Sequence, residues 1–245
     1  MRNLKMTIEY DGSRYKGWQK QKENDLTIQG KIEAVLSKMA GKDIQLVGCG
    51  RTDSGVHAEN YIANFHTECS FSTDAMLEYL YEYLPEDIVT KSIEEVAERF
   101  HARYNVLSKT YVYRINTHKF RNVFNRKYAY HLVEKLNMSD MSKAAEALIG
   151  NHDFQSFTNS RNSSKPTVRT INYINIHEKD GIIEMEFNGN GFLWNMVRVM
   201  VGTLIEVGNG HLKPEDVKKI LNEKKRWEAG PLARAKGLFL RDVQY

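Results

Sequence analysis

The 245-residue sequence predicts a mixed α+β protein, and three patterns carry that expectation. Short runs with apolar residues at alternate positions mark strands, as in Leu4–Tyr10 and Lys109–Ile115. Runs with apolar residues three and four apart mark helices, as in Ile28, Ile32, Val35, Leu36 and Met39. Over the first hundred residues the elements run strand, helix, strand, strand, helix, strand. That order is the split β-α-β unit of ferredoxin-like folds.

Leu4–Tyr10 ends at Asp11-Gly12, a strand followed by a turn. The next loop interleaves Arg14, Lys16, Lys20 and Lys22 with Tyr15 and Trp18. Basic groups suit phosphates and aromatic faces suit unstacked bases, although a large ring such as Trp18 is more often core. Thr27 caps the first helix and Gly41 ends it. Two apolar runs, Ile44–Val47 and Tyr61–Phe65, read as strands. Ser72 or Thr73 opens a second helix through Tyr83, stopped by Pro85. On it Tyr79 and Tyr83 share a face that Tyr81 does not. Ile88–Val96 is the next strand.

In the strand Lys109–Ile115, Lys109, Tyr111, Tyr113 and Ile115 share one face. Residues 116–136 form a long irregular connection. Asn137 or Ser139 caps a helix carrying Met141, Ala144, Ala145 and Leu148, ended by Gly150. The polar stretch Asn159–Lys165 reads as mobile, and strands follow at Val168–Ile176 and Ile182–Phe187 around a turn at Lys179-Asp180-Gly181. Phe192–Val207 is apolar nearly all round, the mark of a buried helix, and holds one internal cation, Arg198. An arginine cannot shed its proton, so burial calls for a carboxylate; Glu206 is a local choice and Asp53 a distant one. Pro214 opens a last helix with Glu215 and Asp216 in its first turn and Lys224, Lys225 and Arg226 at its end, complementing the dipole.

The length suits one large domain or two intimate ones, divided here as 1–104 and 105–245. The first half holds 13 Lys and Arg against 17 Asp and Glu, a net −4; the second holds 22 against 14, a net +8. A basic half beside an acidic one suggests a surface that meets a polyanion. Cys49 and Cys69 form neither a metal spacing nor a disulfide framework, which suits a reducing cytoplasm. The chain starts directly into a strand, with no secretory pattern, and its longest apolar run is too short and polar to span a membrane. No metal or cofactor is expected: the Asn151-His152-Asp153 loop has no second ligand cluster near it in sequence.

The residues that carry chemistry centre on Gly50-Arg51-Thr52-Asp53-Ser54-Gly55-Val56-His57-Ala58. Asp-Ser-Gly alone is an ordinary turn signal. Bracketed by glycines between two apolar runs, however, the loop presents Asp53 with Arg51 and His57 close in sequence, a polar setting that suits a carboxylate.

This nonapeptide resembles the catalytic loop of the TruA family of tRNA pseudouridine synthases, whose aspartate is the nucleophile. Tyr111 matches the tyrosine of that family's second motif, which lies against the target uracil. Phe192–Arg198 resembles the third, whose arginine pairs with the catalytic aspartate, and Gly237–Leu240 resembles the closing strand, where Leu238 lines the pocket. The resemblance implies two ferredoxin-like halves with antiparallel sheets flanking a basic cleft, the pseudouridine synthase fold, usually in a homodimer. It implies isomerisation of uridine at positions 38, 39 and 40 in the anticodon stem-loop of tRNA. Asp53, Tyr111 and Arg198 are then catalytic, and Arg51, His57, Arg14, Lys16 and Leu238 receive the RNA. The sequence departs from the family at Ser54 (often alanine), at Tyr61 (near a usual glutamine) and at Gly230–Arg234, the last two in regions that help receive RNA. The alternatives are the same chemistry on ribosomal RNA, a non-catalytic RNA-binding protein on this fold, or a hydrolase using Asp53, for which no second carboxylate stands out.

Overall fold

Residues 1–22, 26–160 and 166–245 are described by a computed structural model. Its strands and helices, in chain order, are β1 (Arg2–Tyr10), α1 (Ile28–Ala40), β2 (Val47–Gly48), β3 (His57–Thr67), α2 (Thr73–Tyr83), β4 (Ile88–Val96) and β5 (Ser108–Asn116). Then come β6 (Tyr130–His131), α3 (Met138–Glu146), β7 (Gly150–Asp153), β8 (Val168–Lys179), β9 (Ile182–Gly189), α4 (Met196–Gly208), α5 (Pro214–Glu223) and β10 (Leu238–Gln244). They form two compact units, Met1–Leu107 with Phe239–Tyr245, and Ser108–Leu238. The division expected at 104/105 leaves the closing segment with the second half, whereas the segment from Phe239 onward packs into the first unit.

In the first unit β1 lies between β4 and β3, antiparallel to both, and β2 pairs with β3. The resulting order β4-β1-β3-β2 is that of the split β-α-β unit. β10 joins the start of β3 in parallel, Phe239 opposite His57 and Leu240 opposite Ala58. Alternation along β1 sets Leu4, Met6 and Ile8 opposite Phe65, Ala63 and Tyr61, all buried. Ile28, Ile32 and Leu36 of α1 and Met76 and Leu80 of α2 complete this core. The Thr27 hydroxyl accepts from Gly30 N–H, Gly41 takes the left-handed conformation, and Ser72 caps α2, all as the sequence predicts. Tyr79 and Tyr83 do meet, with ring centres 4.4 Å apart.

The strand expected at Ile44–Val47 shrinks to two residues, 47 and 48. Its earlier N–H groups are taken by α1: Ile44 N–H donates to Ser37 Oγ at 2.9 Å and Leu46 N–H to Glu33 Oε1 at 3.0 Å. Side chains of the helix thus satisfy backbone that a ladder otherwise holds, while Ile44 and Leu46 still bury.

In the second unit β5, β9, β8 and β7 run in that order, each antiparallel to the next, and β6 adds to β5 in parallel. Asp180 and Gly181, both at positive φ, make the β8–β9 turn. α3 and α5 contribute Met141, Ala144, Val217 and Ile220 to the core around α4. α4 is buried nearly all round but starts at Met196 rather than Phe192, because Asn195 takes a left-handed backbone (φ 62°) that stops a helix reaching back further. Of the mobile stretch expected at Asn159–Lys165, residues 161–165 lie outside the described residues. Among the described residues no helix is long and apolar enough to cross a membrane.

Candidate active site

Asp53 stands on the loop between β2 and β3 of the first unit, partly exposed. The turn that carries it closes through Val56 N–H to Asp53 O at 3.1 Å, with Gly55 at φ 78°. A second loop, Asp11–Trp18, fastens it. Trp18 N–H donates to Thr52 O at 3.1 Å, and the Tyr10 and Thr52 hydroxyls are 2.8 Å apart. Ser54 Oγ donates to Tyr15 O at 3.0 Å. The two backbones press together at Gly12, where a Cβ would sit 2.0 Å from Val56 O, so only glycine fits. A ring stack completes the seat: Trp18 lies on Tyr61 with centroids 3.8 Å apart, and the Tyr61 hydroxyl donates to Gly50 O at the loop's start.

Trp18 is therefore core. Tyr61, expected to touch an RNA-receiving region, is fully buried and braces the loop from below. His57 is 1% exposed; its Nδ1 accepts from Gly12 N–H at 3.1 Å, with Asp11 Oδ1 also at 3.1 Å, and its ring stacks on Phe239. Its reach is into the loop's packing rather than to solvent. Arg51 and Lys16 are exposed. Arg14 is exposed but ion-paired with Asp87 at 2.5 Å. Tyr15 donates to the same carboxylate at 2.6 Å; burial first, then that hydrogen bond, pushes its phenol up to about 12.

Tyr111, Arg198 and Leu238 belong to the second unit. Tyr111 sits mid-β5, nearly buried, with the Phe192 ring edge-on at 5.1 Å. Its neighbour Tyr113 is fully buried and donates to Arg234 O at 2.9 Å. Burial raises the Tyr113 phenol well above its usual range, opposed by the nearby Arg198 and Arg234 charges. Leu238 is buried at the start of β10.

Arg198 was expected inside a buried helix. With α4 starting at Met196 it lies in the first turn, half-buried. A cation there opposes the helix dipole, an unfavourable placement. Its Nε donates to Ala233 O at 2.8 Å and its Nη1 to Asn195 Oδ1 at 3.3 Å, while Ala233 N–H returns a bond to Arg198 O at 3.1 Å. The local carboxylate weighed above, Glu206, meets His211 at 2.9 Å instead.

Two side-chain roles escaped the sequence. Arg226 does not end α5, whose last turn holds no basic residue; its Nε donates to Asn159 Oδ1 at 2.8 Å and its Nη1 to Gly230 O at 3.0 Å. Thr203 Oγ1 accepts from Gly230 N–H at 2.9 Å. With Arg198 these hold the 229–234 turn. No local pattern signals either contact.

A family model described as tRNA pseudouridine synthase matches residues 6–105 and 144–245. Asp53 and Arg198 fall inside these stretches and Tyr111 between them. The chain is 67% identical to tRNA pseudouridine synthase A 1 of Clostridium tetani, over the whole length of both. It is 48% identical to tRNA pseudouridine synthase A 2 of Bacillus cereus, again over both full lengths. Among solved structures, one of a Cbf5-Nop10-Gar1 complex is similar at a TM-score of 0.36 and 12% identity, over 82% of this chain and 45% of that one. A likeness that slight supports no conclusion.

Proposed function

Because the chain belongs to the tRNA pseudouridine synthase family, an isomerase family, we propose that it converts uridine to pseudouridine at positions 38, 39 and 40 of the tRNA anticodon stem-loop. The observation that carries this reading is the 67% identity to a tRNA pseudouridine synthase A over the full length of both chains. It acts as a homodimer in the cytoplasm.

The reaction breaks the N1–C1′ bond, turns the uracil and rejoins it through C5. It needs a carboxylate near C1′, a base for the C5 proton, and a uracil already out of its stack, which costs a few kcal/mol. Asp53 is the carboxylate. Its loop is held from beneath by Trp18, Thr52 and Tyr61, leaving little positional freedom. Arg198 is its ionic partner, which gives a reason for a guanidinium placed against the helix dipole. Tyr111 stacks on the uracil and, as the phenolate, takes the C5 proton, while N1, freed from C1′, gains a proton, so the product is an isomer of the substrate. Arg51, Lys16 and Arg14 meet phosphates, Leu238 lines the base pocket, and His57 serves binding through the loop it packs against.

Tritium release from uridine-labelled tRNA and rRNA transcripts tests the assignment. Asp53→Asn keeps fold and RNA binding and loses at least about 10⁴-fold in rate, as removal of a nucleophile does. Turnover retained in that variant, or release from rRNA alone, would overturn the reading. In single-turnover runs Tyr111→Phe falls by about 10²–10⁴ if the phenol moves a proton. Wild-type speed in Tyr111→Phe would leave the ring as a platform only.

A further inference from the structure

We propose that residues 118–128, between β5 and β6, are a docking surface for unpaired nucleotides of the RNA. This rests on the reading of tRNA as substrate. All eleven residues are exposed. They hold Lys119, Arg121, Arg126 and Lys127, and no Asp or Glu occurs from Thr117 to Val133. Among them Phe120 is 77% exposed and Phe124 89%.

Two phenyl rings in water forgo the burial that large apolar side chains usually find. Hydrogen bonds fix the turn that carries Phe124, and Lys119 Nζ lies 5.4 Å from the centre of the Phe120 ring. Asn122 Oδ1 accepts from Phe124 N–H at 2.9 Å and Asn125 N–H at 3.2 Å. Asn125 O accepts from Tyr128 and Ala129 N–H at 2.9 and 3.1 Å. Arg126 Nη1 donates to Val123 O at 2.8 Å, and Lys236 Nζ to Arg126 O at 3.1 Å. The stretch also lies between the two that the family model matches.

Exposed rings set among cations fit a polyanion that offers flat apolar faces. Single-stranded RNA has both, whereas a paired helix presents phosphates with its bases already stacked. A second copy of this chain is a poorer occupant, because a two-fold contact sets the same cations against one another.

Two double variants of the full chain test this: Phe120→Ala with Phe124→Ala, and Arg121→Gln with Lys127→Gln. Arg126 stays, since its side chain holds the turn. The probes are tRNA and a blunt RNA duplex of equal length, titrated across salt, with tritium release giving KM. The ring pair raises Kd and KM for tRNA by about fivefold or more, leaving duplex affinity and melting temperature unchanged. The charge pair flattens the plot of log K against log salt by about 1.4, two single-strand phosphates' worth. If wild type converts tRNA and both variants bind it equally well, this surface is overturned while the family-based reading stands. A wild type that neither binds nor converts tRNA overturns both. A variant with lower sedimentation mass and unchanged affinity per chain assigns the surface to a second copy and overturns the proposal.

Discussion

Backbone presses on backbone in both units, at Gly12 in the first and at Gly202 in the second. The Asp53 loop adds a backbone bond from Trp18 N–H and the hydroxyls of Tyr10, Ser54 and Tyr61, whereas the 229–234 turn adds one backbone bond, Ala233 N–H to Arg198 O, and otherwise hangs from side chains. Thr52 O takes Trp18 N–H, and Gly12 lets the Asp11–Trp18 backbone lie directly on Val56. Across the second turn, Arg226 reaches Gly230 O, Thr203 reaches Gly230 N–H, Arg198 reaches Ala233 O and Tyr113 reaches Arg234 O. Backbone fastening tolerates side-chain exchange but no added atom where chains touch. Side-chain fastening tolerates small shifts but not truncation.

The widest gap between the two modes is expected at Arg198. Arg198→Leu removes both the charge assigned to catalysis and the tie to Ala233, and kcat falls by about 10²–10³ with a lowered melting temperature. Arg198→Lys recovers little, because an ammonium lacks the fork that meets Ala233 O and Asn195 Oδ1 together. Wild-type rate in Arg198→Lys would show that charge alone suffices and that the turn needs no guanidinium.

Matched glycine substitutions give a middle-sized effect in each unit. A Cβ at Gly202 would sit 1.8 Å from Pro231 O, much as one at Gly12 would sit 2.0 Å from Val56 O. Each alanine variant loses about 1–3 kcal/mol or more from overpacking. They part in rate. Gly12→Ala displaces the loop that carries Asp53, and a misplacement of about 1 Å costs on the order of 10²-fold. Gly202→Ala pushes on a turn whose side-chain ties stretch, so urea melts show the loss while kcat changes less. Equal rate losses would erase the distinction.

Legibility in the sequence followed the range of each interaction. α1, α2 and the β8–β9 hairpin were readable because Thr27, Gly41, Ser72 and Asp180-Gly181 act within a few residues. The turn that carries Asp53 was readable from its bracketing glycines. The hydroxyl contact between Tyr10 and Thr52, and the hydrogen bond from Gly12 N–H to His57, join residues more than forty apart, and nothing local foretells them. Periodicity ran too far at Phe192–Trp194, since an apolar run carries no sign that Asn195 will turn left-handed. Nor does a basic cluster after a helix say whether it meets the dipole or, like Arg226, a distant carbonyl.

The smallest expected effect is at Ser54, next to the proposed nucleophile. Its hydroxyl makes one bond, to Tyr15 O at 3.0 Å, from an exposed position. Water can replace an exposed partner, so Ser54→Ala loses less than about 1 kcal/mol. The remaining ties, Trp18 N–H to Thr52 O above all, still hold the loop, so single-turnover rates should match wild type within about twofold, far below the cost of a misplaced catalytic group. A urea midpoint and a tritium-release time course on the same preparation check both statements. If Ser54→Ala instead slows turnover tenfold at unchanged stability, the Asp53 loop depends on a side-chain tie, as the 229–234 turn does. The contrast between the two units then fails at the very loop that carries the proposed nucleophile.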